Sequence, residues 1–331
     1  MSPIPLIRMR YADAFAKELD RIGAPTEQLL NRVGLSEELL LQRDAFIPFN
    51  QLSILTGLAA RHTGMMDLGL QAGFTPLQEH SDFGRHLIFA PTLLQAYQRL
   101  LLTAPTELTN ANFSIEPDPE GYWFCMGRID GAELEVQQVE LYRLAVIAQM
   151  VRWVAGEQWH PRKIRMQSQQ LEGADNISLI QQGELQLGQY QPALLVPHVY
   201  LARQMIIKKP AKATDPVLDL PSFDFAESLQ EVLKPFSPTS FPSMQQLAIS
   251  MGIDERELER AMHKSGLNYK RLLEQRRIEC ARSLLEKQQM SVAQIANELG
   301  YSSSISFSRA FKRAVGQAPA AFQKHALVEI V

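Results

Sequence analysis

Cysteine is scarce in this chain. Cys125 and Cys280 are the only two in 331 residues, far apart and in no CxxC spacing. That excludes a disulfide framework and a zinc ribbon, and makes a reducing cytoplasm the simplest home. Long apolar runs are missing too. None reaches the roughly 18 residues a membrane helix needs, and Met1 to Arg10, with two prolines, lacks the apolar run of a signal peptide. The sequence contains no GxSxG, no Gly-rich phosphate loop and no HExxH. His80 and His86 stand six apart, and His62, His160 and His198 are scattered, so no metal-ligand spacing appears. No catalytic residue, metal or cofactor is expected.

What is present suits two globular domains, with 46% hydrophobic and 21% charged residues over a length too great for one ordinary core. The net charge of −3 hides an asymmetry. Residues 1–242 carry 20 Lys+Arg against 27 Asp+Glu, whereas residues 243–331 carry 13 against 9. A basic C-terminal segment on an acidic protein is what contact with a phosphate backbone requires, although so small an excess also fits a solvated face.

The first hundred residues read as helical, over Tyr11–Arg21, Thr26–Val33, Pro48–His62 and Thr92–Leu102. The period then changes. Leu108–Ile115 and Tyr122–Ile129 read as strands of a hairpin with a long loop through Glu116-Pro117-Asp118-Pro119-Glu120-Gly121. A long helix is expected from about Leu134 to Trp159, then short strands at Lys163–Gln167, Leu185–Tyr190 and Ala193–Val196, with a helix near Asn176–Gln182. The domains follow: 1–207 as an α+β domain, 208–235 as a Pro/Lys-rich linker with a helix around Phe223–Leu233, and 236–331 as a helical domain. The fold class is an α+β N-terminal domain plus an all-α C-terminal domain with two helix-turn-helix units joined by a long helix.

The last quarter of the chain repeats itself. Met244, Leu247, Ala248, Met251 and Gly252 recur 48 positions later as Val292, Ile295, Ala296, Leu299 and Gly300. After each glycine the register slips by one: Leu258, Arg260 and Met262 recur 49 later as Phe307, Arg309 and Phe311. Apolar positions at helical spacing, a glycine and a second apolar stripe describe two short helices meeting at a tight turn, here over about 244–265 and 292–315. Ser243 with Gln246 and Ser291 with Gln294 are capping boxes; Asp254 caps the second helix of unit one, and Ser302 or Ser303 that of unit two. Between the units, Tyr269 to about Lys287 forms a helix of about 28 Å at 1.5 Å per residue. One duplex turn is about 34 Å, so such a rod can set two reading helices in successive major grooves.

These residues resemble a known family. Ser291-Val292-Ala293-Gln294-Ile295-Ala296-Asn297-Glu298-Leu299-Gly300-Tyr301, continuing through Phe307-Ser308-Arg309-Ala310-Phe311-Lys312-Arg313 to Gly316 and Pro319, resembles the AraC/XylS transcription-regulator signature. Leu247-Ala248 through Met251-Gly252 to Leu258, Arg260 and Gly266 is similar to that family's first unit. More loosely, Ile47-Pro48-Phe49-Asn50, Leu68-Gly69-Leu70, and Phe83-Gly84 with Ala90-Pro91-Thr92-Leu93 resemble the arabinose-binding-type sensor domain of the ornithine-regulator kind. The resemblance implies a transcription regulator, activator or repressor, whose partners are double-stranded promoter DNA and RNA polymerase. Its N-terminal domain would form a homodimer or take a small-molecule effector; no membrane partner is implied.

Carried over residue by residue, the resemblance gives unit one Arg256, Glu259, Arg260 and His263 as DNA-binding positions, and unit two Ser304, Ile305, Ser308 and Arg309. Arginine grips guanine through two hydrogen bonds, serine suits base or phosphate, and Ile305 suits a thymine methyl. Lys312 and Arg313 are placed for phosphates. Glu255, Glu257 and Glu259 are a departure, three carboxylates on one reading helix. Glu259 accepts from a cytosine amino group, holds the neighbouring arginines, or repels phosphate. Unit two is accordingly expected to anchor binding and unit one to tune it.

Plainer readings stand beside these. Arg276, Arg277 and Arg282 on the rod fit solvated or phosphate-near positions, and Cys280 a small core residue. In the sensor domain, Tyr122-Trp123-Phe124, Trp153 and Trp159 line a pocket or simply pack a core, and Arg85, Arg143 or Arg152 could hold a carboxylate. Two rival functions remain: a regulator with no small-molecule effector, governed by abundance or a protein partner, and a DNA-repair methyltransferase-like protein, for which two isolated cysteines supply neither a zinc cluster nor an active thiol.

Overall fold

The computed structural model describes residues 2–76, 84, 87, 90–131, 133–173, 177, 179–205, 221–287 and 289–325. The chain divides into two compact units, Ile4–Phe223 and a second that begins at Asp224.

The N-terminal unit is α+β. A two-stranded antiparallel sheet pairs β1 (Leu6–Arg8) with β2 (Phe46–Pro48). Around it lie α1 (Met9–Arg21), α2 (Thr26–Arg32), α3 (Glu37–Leu40), α4 (Phe49–Thr63) and α5 (Leu68–Gly73). Helix α6 (Leu93–Glu107) starts at a Thr92 cap whose side chain accepts from the Gln95 N–H, and it runs past Leu102 through Pro105. A five-stranded sheet follows, built from β3 (Ser114–Asp118), β4 (Gly121–Cys125), β5 (Lys163–Arg165), β6 (Glu184–Gln186) and β7 (Ala193–Pro197). Its order is β3-β4-β7-β5-β6, antiparallel except for β5 with β6. Alternation sorts its side chains: Trp123, Cys125, Ala193 and Leu195 cluster together, while Phe124, Leu194, Val196 and Ile164 join the main core. The last helix, α8, spans His198–Leu201.

Helix α7 (Glu133–Ala155) is the spine of this unit, packing on α4, α5, α6 and β7. Its polar members are buried only because they are answered. Gln138 accepts from the Gly69 N–H at 2.8 Å and donates to the Met66 carbonyl at 2.9 Å. Glu140 accepts from the Ser168 N–H at 3.2 Å, from the Ser168 hydroxyl and from the Gln167 N–H. A helix buried on every side needs such partners for each polar group.

Several expectations are corrected. The hairpin is tight: Asp118 pairs with Gly121, leaving only Pro119 and Glu120 between the strands. Pro117 sits inside β3 without penalty because β3 is an edge strand that owes no N–H on its outer side. Leu108 to Phe113 lies outside the five-stranded sheet; Leu108 instead makes an isolated bridge to Ile7 of β1, in the two-stranded sheet. The expected helix near 176–182 is absent among the described residues, where 179–182 are turns holding buried Leu179 and Ile180. Residues 224–235, assigned to the linker, open the second unit instead: helix α9 (Phe225–Leu233) is capped reciprocally by Asp224 and Glu227 at 2.8 Å each. Of the rest of the expected linker, 208–220 lies outside the described residues and 221–223 belong to the first unit.

The C-terminal unit is all helix. After α9 come α10 (Met244–Met251), α11 (Glu255–Lys264), α12 (Tyr269–Lys287), α13 (Val292–Glu298), α14 (Ser304–Val315) and α15 (Pro319–His325). The two helix pairs and the 19-residue rod between them have the expected extents. Ile278, Ala281 and Leu285 of the rod share one core with Ile295, Ala296, Leu299, Phe307 and Phe311.

Candidate nucleic-acid interface and effector cavity

Each helix pair is fixed by its ends. Ser243 Oγ accepts from the Gln246 N–H at 3.1 Å while Gln246 Oε1 accepts from the Ser243 N–H at 2.7 Å. Ser291 and Gln294 repeat this at 3.3 and 2.8 Å. Gly252 and Gly300 take φ of 73° and 75°, the left-handed turn that lets the chain reverse into the next helix. Asp254 caps α11 through the Glu257 N–H at 2.9 Å, and Ser303 caps α14 through the Ser306 N–H at 3.1 Å. Leu258 and Met262, and Phe307 and Phe311 in the copy, are buried against the first helix of their pair.

That packing leaves the opposite face of α11 and α14 outward. Arg256, Glu259, Arg260 and His263 are exposed on α11. On α14, Ser304, Arg309, Lys312 and Arg313 are exposed, Ser308 is half-buried, and Ile305 stands 64% exposed, unusual for a large apolar side chain. Ser304, Ile305, Ser308, Arg309 and Lys312 line one open depression with Val292, Ala293 and Ala318, so five of the six expected positions of unit two come together. Arg313 lies outside it, near the Tyr301 ring, whose hydroxyl donates to Glu274 Oε1 at 3.0 Å. Among the described residues, Arg256, Arg260, Arg309, Lys312 and Arg313 form no ion pair, and Glu259 does not bridge Arg256 or Arg260. Arg260 Nε donates only to the Arg256 carbonyl of its own helix, at 3.4 Å.

The rod arginines differ. Arg276 pairs with Glu279 at 2.5 Å and Arg277 with Glu274 at 3.7 Å, so both are occupied. Cys280 is half-buried against the core of unit two, and Cys125 is fully buried in the sheet, where burial pushes its thiol up to about 12. Neither is an activated thiol.

The N-terminal unit contains a cavity of about 80 Å³, walled mainly by apolar side chains of α1, α4, α6 and α7. Of the charged residues singled out in the sequence, Arg143 lines it. Arg152 instead donates to the Trp159 carbonyl at 3.2 Å and stacks over Phe74, and Arg85, His80 and His86 lie outside the described residues. Tyr122, Trp123, Phe124, Trp153 and Trp159 are not among its walls; the cavity's aromatic side chains are Tyr11, Phe15, Phe49, Phe113 and Tyr142. Glu107, buried at 7% exposure and also on the wall, had no marker in the sequence. Its carboxyl is pushed up by burial, a rise opposed by Arg10 and Arg8.

Two protein-family models match the chain. One, described as the arabinose-binding domain of AraC transcription regulator, N-term, matches residues 23–205; a helix-turn-helix domain matches 247–325. The HTH-type transcriptional regulator VqsM of Pseudomonas aeruginosa is 33% identical over 86 residues, 26% of this chain and 26% of that protein. The HTH-type transcriptional regulator AlkR of Acinetobacter baylyi is 45% identical over 58 residues, 18% of each. The chain thus spans about a quarter or less of the length of these curated relatives. The crystal structure of transcriptional regulator CdpR from Pseudomonas aeruginosa aligns over 95% of this chain and 98% of its own, at 16% identity and a TM-score of 0.40.

Proposed function

The chain belongs to the family of AraC transcription regulators, and from that premise we propose that it reads promoter DNA with two helix-turn-helix units under the control of its N-terminal domain. One observation carries the reading: the same capped helix pair occurs twice, and each copy turns outward a face with arginines that form no ion pair among the described residues. On α14 that face is Ser304, Ile305, Ser308 and Arg309, with Lys312 and Arg313 toward phosphate; on α11 it is Arg256, Glu259, Arg260 and His263. A helix fixed at both ends and free on one face can enter a major groove at little conformational cost.

The 19-residue rod sets the separation of the readers. At about 28 Å it suits adjacent grooves on one side of the duplex. Two copies joined through their N-terminal domains would read a repeated pair of such sites, and occupancy beside a promoter would recruit or block RNA polymerase. The cavity in the N-terminal unit favours control by a small effector over control by abundance or a protein partner, since it is apolar, lined by aromatic rings and furnished with few polar groups.

Selection of duplexes by the full chain from a random pool is the test. A recovered site with two blocks of preferred bases about one helical turn apart supports the reading, together with affinity that falls steeply with salt. Enrichment of a single block, or none, overturns it.

A further inference from the structure

Arg143 projects from α7 into the cavity with two of its five N–H donors in use. Its Nη1 donates to the Met126 carbonyl at 2.8 Å and the Gly127 carbonyl at 3.2 Å. The rings of Phe49 and Phe113 flank it, with centroids 5.6 and 5.7 Å from Cζ. Nε and Nη2 make no hydrogen bond among the described residues, and no carboxylate pairs with the guanidinium there. The acid that acts on it electrostatically, Glu140, is already engaged by Ser168 and Gln167. Burial lowers Arg143 only to about 10, so it is a cation at neutral pH.

We propose that this cavity binds a small apolar carboxylic acid, whose carboxylate is held by the Nε–Nη2 edge of Arg143. The proposal rests on reading the N-terminal unit as an effector-binding domain and names the chemistry that domain senses. A guanidinium pinned at one nitrogen and stacked between rings presents its remaining edge as a fixed fork, the geometry that fits a carboxylate through two parallel bonds. A neutral guest would leave that fork unanswered in a space from which it has expelled water, which is costly. A cationic guest would meet the arginine head on. A dianionic phosphate would bring a second charge for which the walls hold no further free cation among the described residues.

Size narrows the class. At about 10–15 Å³ per water-sized sphere, a space of about 80 Å³ admits a guest of roughly five to eight non-hydrogen atoms. Glu107 adds no second requirement: its Oε1 lies 3.6 Å from Arg10 Nη1, and its carboxyl interacts with the Tyr11 hydroxyl on the same cavity wall.

The test uses the full chain and isothermal titration with three probes: pentanoate, 1-pentanol and 1-pentylamine. The acid is expected to bind and the alcohol and amine not to. Arg143→Lys keeps a charge but loses the fork, and is expected to weaken acid binding by about tenfold or more. Ala104→Leu adds volume at a buried wall residue and should abolish binding, with a thermal melt of the variant checking that it still folds. Acid binding that survives Ala104→Leu, or a preference for the alcohol or the amine, overturns the carboxylate assignment; the second result leaves the effector reading standing. No binding by any probe overturns both, and the DNA selection experiment reads the rest of the proposed function independently.

Discussion

The Gly69 N–H donates to Gln138 Oε1 at 2.8 Å, and a Cβ added to Gly69 would stand 2.0 Å from the Gln138 carbonyl oxygen. One turn on, a Cβ at Gly73 would meet the Tyr142 carbonyl oxygen at 2.6 Å. Helix α5 therefore crosses α7 backbone to backbone, and the position of α7 sets where Tyr142 and Arg143 stand on the cavity wall.

Gly69→Ala is accordingly expected to destabilise the chain by about 1–3 kcal/mol, the cost of overpacking a closed interface. Urea denaturation of the variant checks this. An unchanged midpoint would mean that the two helices separate without cost.

On a selected duplex, Arg309→Ala should cost about 1–3 kcal/mol and relax preference at one base position. Arg260→Ala should cost less, because the carboxylates of Glu255, Glu257 and Glu259 share its helix. Lys312→Ala should weaken all sequences alike and lower the salt slope by about one. Fluorescence anisotropy across a salt series separates the three, and a larger loss from Arg260→Ala reverses the roles given to the two units.

Phe307 is fully buried where the rod, α13 and α14 meet. Phe307→Ala should cost about 3–5 kcal/mol, whereas Ser303→Ala, which removes one cap, should cost about 1 kcal/mol. Thermal melts of the full chain rank the two, and equal effects would mean that the second unit has no core of its own.

Burial holds the Glu107 carboxyl above its ordinary value of 4.5. The folded chain then keeps this proton more readily than the unfolded one, so the contribution to stability is whole below about pH 4.5 and declines as pH rises through the folded value. Relative to Glu107→Gln, the wild-type chain should lose stability as pH rises above the ordinary carboxyl value. A difference that stays level as pH rises contradicts the raised value.

The C-terminal unit was legible because its determinants are local. A cap, a glycine and an apolar stripe lie within 20 or so residues of one another, and duplication prints them twice. The cavity was not legible because Tyr11, Phe49, Glu107 and Arg143 come from four helices far apart in sequence. Nothing in the pattern around Glu107 distinguishes it from a solvated glutamate at a helix end. Glu116-Pro117-Asp118 misled in the opposite direction, since turn-forming residues occupy an edge strand whose outer side makes no ladder bonds. Helix α9 was foreseen, but that it belongs with the second unit is a matter of packing, which spacing alone does not reveal.

Helix α12 is more than a spacer. Ile278, Ala281 and Leu285 make it one wall of the second unit's interior, and Glu274 fastens to Tyr301 at the elbow between α13 and α14. The bar and one of its two heads are thus a single casting, so torque applied to that head passes along the bar with little slack. A promoter whose two half-sites are out of phase would have to twist its own base pairs, because this protein offers almost no joint at that end to absorb the error.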